Sequence, residues 1–179
     1  KGQDKFWGRA PRRPGSDAHG IVGNVVGIDT RAVDKAGEKR WRGVVGVQPP
    51  TAPYSHSLLA VFAPFNADTL LVYNLINNMT WGWDISSVVS GNGKFAGIAA
   101  DTGHIVCAAP FNADRVLCAK FNPPSELTAN AYMEQVWGIG VEPGEKKWWG
   151  IAMLHGTIFA VPYNRTDLLI VQNAYEINY

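Results

Sequence analysis

Four histidines, His19, His56, His104 and His155, are the side chains best able to move a proton or hold a metal near neutral pH. Two have a carboxylate close by in the chain, Asp17 for His19 and Asp101 for His104. Such a pair could orient an imidazole for general base work, although a turn carboxylate beside a surface imidazole is the commoner arrangement. The four histidines stand at non-equivalent places in the repeat described below, whereas a metal held by a repeat architecture would draw on equivalent places. No His-Glu-x-x-His run or close cysteine pair adds to them, so no metal ligand is assigned. After Gly138-Ile139-Gly140 and Gly91-Asn92-Gly93 the next glycines come only at Gly144 and Gly97. That spacing supports no dinucleotide or phosphate loop, and no cofactor is expected. A nucleophile with its base and orienting group does not assemble from these residues, so no catalytic residue is named and the reading leans away from an enzyme.

Side chains that recur are more informative. Trp41, Phe95 and Trp148 share one position of a repeat, and Trp81 and Trp137 share another. One large flat side chain per unit fills the gap between stacked sheets; the sharper alternative is a platform for sugar rings. On that alternative Trp41 and Trp148 are the stacking rings, with Asn66, Asn112, Asn164, Asp68 and Asp114 as hydrogen-bonding groups on the rim. The bland role of those polar residues is to cap turns. Asn78-Met79-Thr80 and Asn164-Arg165-Thr166 are glycosylation sequons, making Asn78 and Asn164 candidate acceptors.

These residues belong to tandem copies. Lys94-Phe95-Ala96-Gly97-Ile98-Ala99, followed by Gly103 to Asp114 and Val116-Leu117-Cys118, reappears as Lys147-Trp148-Trp149-Gly150-Ile151-Ala152, Gly156 to Asn164 and Leu168 to Val171. An earlier copy runs from Arg40-Trp41-Arg42-Gly43 through an insertion at Pro49 to Ser57, then Leu59 to Asp68 and Leu70-Leu71-Val72. A degraded copy begins at Lys5-Phe6-Trp7-Gly8 and ends near Val25 to Asp29. The full period is about 53 residues and holds four apolar runs, the anatomy of a four-stranded propeller blade. The expected organisation is a degraded first repeat with a basic arm at 1–39, then repeats at 40–93, 94–146 and 147–179, the last one partial, together forming one domain.

Turn chemistry places the joints. Proline cannot donate to a ladder and asparagine tolerates left-handed φ, so Pro64 to Asp68 and Pro110 to Asp114 are predicted hairpin tips. Pro143-Gly144 and Gly91-Asn92-Gly93 mark boundaries between units. The hairpin arms Ile105 to Ala109, Val116 to Ala119 and Leu168 to Val171 are apolar on successive residues, which suits strands covered on both faces. Stacking of the units follows, with Gly97 and Gly150 as points of close approach.

Composition agrees. Charged residues are 17% of the 179 while Gly reaches 19 and Pro 11, which favours short strands and tight turns over solvated helices. A net charge of +1 gives no field that would call for nucleic acid as a partner. Lys1, Lys5, Arg9, Arg12 and Arg13 against Asp4 make a local basic arm, read as a solvated terminus. The longest charge-free stretch, Gly43 to Ala67, holds Pro49, Pro50, Pro53 and Pro64, so no membrane span is expected. No apolar leader precedes Lys1, and the compartment is not set by this sequence. Cys107 and Cys118 lie on opposite arms of one hairpin. They could bridge only if they face each other, and a slip of one residue would separate them; buried free thiols are the favoured reading.

The pattern Lys-aromatic-x-Gly, then Gly-x-Ile-x-x-x-Pro-aromatic-Asn, then Leu-Leu-x-Val resembles repeats of propeller-type proteins, including uncharacterised proteins of algae and protists. It is loosely similar to lactonase-like and streptogramin-lyase-like propellers. The likeness covers Arg40 to Val171 and implies an all-β propeller, or part of one, of about four repeats of four-stranded antiparallel blades, with a β-trefoil as the alternative. The function expected is a non-enzymatic propeller-like scaffold, an interaction module or structural subunit whose partners are other protein chains or itself. A carbohydrate-binding, lectin-like module is the alternative, and a metal-dependent lyase- or lactonase-like enzyme a weaker one.

Overall fold

A computed structural model describes residues 28–34, 38–47, 59–75, 78–101, 104–121 and 133–175. The basic arm, the first copy up to Gly27, Asp17 and His19, the Pro49 to Ser57 insertion with His56, and Thr102-Gly103 lie outside the described residues. Within them the chain is all β and forms eleven strands. The first sheet is β1 (Trp41–Val47), β2 (Leu59–Pro64), β3 (Thr69–Asn74) and β4 (Met79–Asp84). The second is β5 (Phe95–Ala100), β6 (Ile105–Pro110), β7 (Arg115–Phe121) and β8 (Met133–Gly140). A third has three strands, β9 (Trp148–Leu154), β10 (Thr157–Pro162) and β11 (Leu169–Val171). Each sheet is antiparallel, runs in chain order and falls within one sequence unit; none is closed. Every strand pairs with its neighbour in sequence, so the barrel through which a trefoil joins its units is not formed among the described residues.

The units repeat in geometry as well as sequence. In all three the register slips in the first strand, between Trp41 and Val44, between Phe95 and Gly97, and opposite Ala160 and Pro162, where the partners are Ile151 and Trp148. The first two hairpin tips each gather on one carbonyl. Phe65, Asn66 and Ala67 donate backbone N–H groups to the Arg40 carbonyl, and Phe111, Asn112 and Ala113 do the same to that of Lys94. Proline just before each tip ends the strand where its missing N–H costs nothing.

The sheets stack face to face. Alternate residues of the β6–β7 hairpin point to opposite sides. Val106, Ala108, Leu117 and Ala119 pack on Val61, Leu70 and Val72 of the first sheet. Ile105, Cys107, Val116 and Cys118 pack on Ile158, with Ile151, Met153, Leu169 and Val171 of the third sheet around them. The unbroken apolar run in sequence thus reports a sheet with no wet side, each full burial of a Val, Ile or Leu contributing roughly 1.5–3 kcal/mol. The third unit differs from the expectation. Its β10 and β11 alternate between covered and exposed residues, because no described sheet lies on its outer face.

The cysteine reading is corrected. Cys107 and Cys118 are partners in the β6–β7 register with Cα atoms 4.2 Å apart, and they form a disulfide. That spacing belongs to a non-hydrogen-bonded antiparallel pair, the site where two side chains come close enough to bridge. A slipped register would have kept the thiols free.

First strands of successive units touch through glycine. A Cβ on Gly97 would lie 2.7 Å from the Trp149 carbonyl oxygen, and one on Gly43 would lie 3.2 Å from the Gly97 Cα. A Cβ on Gly150 itself would meet only the Val161 side chain at 3.5 Å, while the Gly150 Cα lies 3.5 Å from a Cβ on Gly97; Gly43, which the sequence did not single out, makes the equivalent approach one unit earlier. Gly97→Ala should cost about 2 kcal/mol, since the backbone of the third sheet must shift to admit the methyl. Gly46→Ala, with nothing within 4 Å, is the control and should stay within about 0.5 kcal/mol of wild type in urea unfolding.

Candidate functional site

Three features concentrate polar or exposed aromatic chemistry: the joints between units, a row of rings across the hairpin tips, and the outer face of the third sheet.

Each joint is a cation threaded into the preceding tip. The Lys94 ammonium is buried and donates to the carbonyls of Asn66 and Gly91 at 3.3 and 2.6 Å and to the Asp68 carboxylate at 3.1 Å. Its backbone N–H reaches the Phe65 carbonyl at 2.8 Å, while Gly93 N–H donates to Asn66 Oδ1 at 2.9 Å. The next joint repeats the design: Lys147 is buried, its ammonium donates to the Ala113 carbonyl, its N–H to Phe111, and Lys146 N–H to Asn112 Oδ1 at 2.8 Å. Burial pushes the Lys147 ammonium below its ordinary pKa, against the opposing pull of Asp114. The Arg115 guanidinium beside Asp114 holds that carboxyl below the usual range. These cations are structural rivets, not exposed reagents.

Across the tips runs a line of rings. Phe65, Phe111 and Tyr163, one from each unit, lie with Phe65 and Phe111 5.8 Å apart and Phe111 and Tyr163 5.7 Å apart. Trp149 stacks on Tyr163 at 5.3 Å and meets Phe111 edge-on at 5.5 Å. The Arg42 guanidinium lies over both Phe65, at 4.3 Å, and Trp149, at 4.6 Å. Trp149 and Tyr163 are exposed. Their rings and Arg42 offer flat apolar surface beside a donor, which suits a sugar ring or a peptide aromatic.

The residues named from sequence fall elsewhere. Trp148 is buried, donates Nε1–H to the Asp167 carbonyl at 3.0 Å and has the Arg165 guanidinium 5.4 Å from its ring; no ligand ring can reach it there. Trp41 is half-buried, donates to the Thr69 carbonyl at 2.8 Å and carries Arg40 at 5.0 Å. Asn66 and Asn112 hold the joints, Asp68 pairs with Lys94, Asp114 pairs with Arg115, and Asn164 stands exposed at the third tip. Asn78 is exposed with φ 57° and accepts from the Tyr73 hydroxyl at 2.7 Å. Trp148 carries the repeat alignment, and alternation back from the inward-facing Ile151 would bury Trp149 and expose Trp148; the bulge between Trp148 and Ile151 reverses this, so no signal along the strand separates the two.

Of the two carboxylate and histidine pairs, Asp17 with His19 lies outside the described residues. The Asp101 carboxylate accepts from Gly156 N–H at 2.8 Å and from the Tyr175 hydroxyl. Burial, then the Asp101 contact, pushes the Tyr175 phenol well above its usual pKa. His104, at φ 64°, has a buried Nδ1 without a partner among the described residues, and burial followed by repulsion from Lys120 lowers its pKa. Among the described residues no three His, Cys, Asp or Glu side chains gather as a metal site, and no helix is long and apolar enough to cross a membrane.

The outer face of the third sheet carries Val161, Leu168 and Ile170, all exposed, with Leu154 exposed at the end of β9. No family model, curated protein or solved structure matches the chain.

Proposed function

We propose that the chain is a non-enzymatic, propeller-like scaffold: an interaction module or structural subunit whose units stack as blades and whose last blade docks against protein. The observation that carries this reading is the uncovered apolar face of β9 to β11 at one end of an otherwise well-packed stack. Polar groups that could do chemistry, Lys94, Lys147, Asn66 and Asn112, are spent on holding sheets together, which supports a structural role. Val161→Lys tests it, placing a charge in the middle of the face without touching the core. The native mass of the tagged protein in an extract of the cells that make it should exceed that of the monomer and fall to the monomer in the variant. Recovery of wild type as a lone monomer with a tightly held small ligand overturns the reading.

A second reading has its own observation. The ring row of Phe65, Phe111, Trp149 and Tyr163 with Arg42 favours a lectin-like module, relocated from Trp148 to the exposed Trp149. A glycan array should then give hits that Trp149→Ala abolishes, and an array without hits removes this reading.

A further inference from the structure

The two ends of the stack carry the two halves of one joint. Inside the stack, each joint needs a left-handed residue followed by a cation on the later unit, Gly93-Lys94 or Lys146-Lys147, with φ 64° and 52° at the first residue. It also needs an aromatic-Asn tip on the earlier unit, Phe65-Asn66 or Phe111-Asn112, to accept their N–H groups. At the start of the stack Lys39-Arg40 has the same corner, with φ 57° at Lys39. At its end Tyr163-Asn164 is the same tip, exposed.

The faces match in the same way. The registers align Ala63, Ala109 and Val161; Val72, Cys118 and Ile170; and Leu70, Val116 and Leu168. In the first two units these residues are 0 or 1% exposed beneath the next sheet, whereas Val161, Ile170 and Leu168 are 57, 52 and 51% exposed. On the opposite side of the stack Val44 is 57% exposed, at the position where Ile98 is covered by the preceding sheet at 9%.

A third correspondence concerns the connector that enters the first sheet. Asp29 Oδ1 accepts from Arg31 N–H at 3.0 Å and Val33 N–H donates to the Thr30 carbonyl; Asp84 Oδ1 accepts from Ser86 N–H at 2.8 Å and Val88 N–H donates to Ile85. Val33 lies against Gly82 as Val88 lies against Gly138. The connector into the first sheet is thus built like the one that leads from the first sheet into the second. The sheet that shows three strands is the third, with β11 at its edge.

We infer that a second copy of this chain continues the stack head to tail: its first sheet covers the outer face of the third sheet, and its Lys39-Arg40 corner seats on the Tyr163-Asn164 tip. This rests on the docking reading above and names the partner of that face. The contact is heterologous, joining two different surfaces of one chain, so it closes as a ring or extends as a filament according to the rotation between sheets.

The test uses the purified full chain, made in bacteria so that Asn164 carries no glycan, with light scattering behind size exclusion over a hundredfold concentration range. Val161→Lys blocks one end and Val44→Lys the other; both sites are exposed, and thermal unfolding confirms that each variant folds. Ile170→Lys and Phe62→Lys replace either variant that does not. Wild type should grow beyond the monomer with concentration, each variant alone should stay monomeric, and an equimolar mixture should form a 1:1 pair through the two intact ends. A mixture that stays monomeric, or a Val44→Lys protein that associates as well as wild type, overturns the head-to-tail arrangement. Purified wild type that is monomeric throughout overturns self-completion, and it does so separately from the docking reading, which falls only if the chain is also alone in its native extract.

Discussion

Lys94→Ala should lower the free energy of unfolding by about 3 kcal/mol, measured as a shift in the urea midpoint at unchanged slope. The ammonium is buried and donates to the Asn66 carbonyl and the Asp68 carboxylate of the first hairpin tip and to the Gly91 carbonyl of the segment that links the first two units. Truncation removes the packing of a buried four-carbon stem and leaves acceptors at the joint without their donor. The ion pair itself contributes little, because the Asp68 side chain is 63% exposed and screened by water. Two further variants separate these terms. Lys94→Met keeps the stem and should lose about half as much, whereas Asp68→Asn should cost under about 1 kcal/mol. Should Asp68→Asn prove as damaging as Lys94→Ala, the joint would be held by charge and not by the threaded stem and its carbonyls.

Reduction of the Cys107–Cys118 disulfide should cost about 3 kcal/mol, from the chain-entropy estimate for a loop of this length. The bond ties β6 to β7 in the middle sheet, where both sulfurs face the third sheet beside Ile158. Its loss therefore reaches beyond the hairpin, loosening the seam on which the third sheet rests. The double variant Cys107→Ala with Cys118→Ala should show at least the same loss, since two small voids are added at that seam. Thermal unfolding with and without reductant measures the first effect. A midpoint that does not move would show that β6 and β7 are held by their ladder and by the sheets on either side alone.

Much of the architecture was legible along the chain because it depends on local or repeated features. Pro64, Pro110 and Pro162 each end a strand before an aromatic-Asn tip, because a missing donor acts within a few residues; the left-handed φ expected of the tip asparagines is not taken up by Asn66, Asn112 or Asn164. Apolar residues in succession at Ile105 to Ala109 required cover on both faces, and the middle sheet has it.

What stayed out of reach depends on register and on neighbours. Whether Cys107 and Cys118 faced each other turned on a single residue of strand offset, which composition does not encode. Which of Trp148 and Trp149 meets solvent turned on the bulge at the start of β9, and that decides whether the aromatic position serves the core or the surface. The sequence by itself determined the strand class, the tips and the unit length, since these follow from backbone chemistry repeated three times. Only the tertiary structure decided which lysines become rivets, which rings line up, and which of three related sheet faces is left uncovered, because each of those outcomes belongs to the packing of one unit on the next.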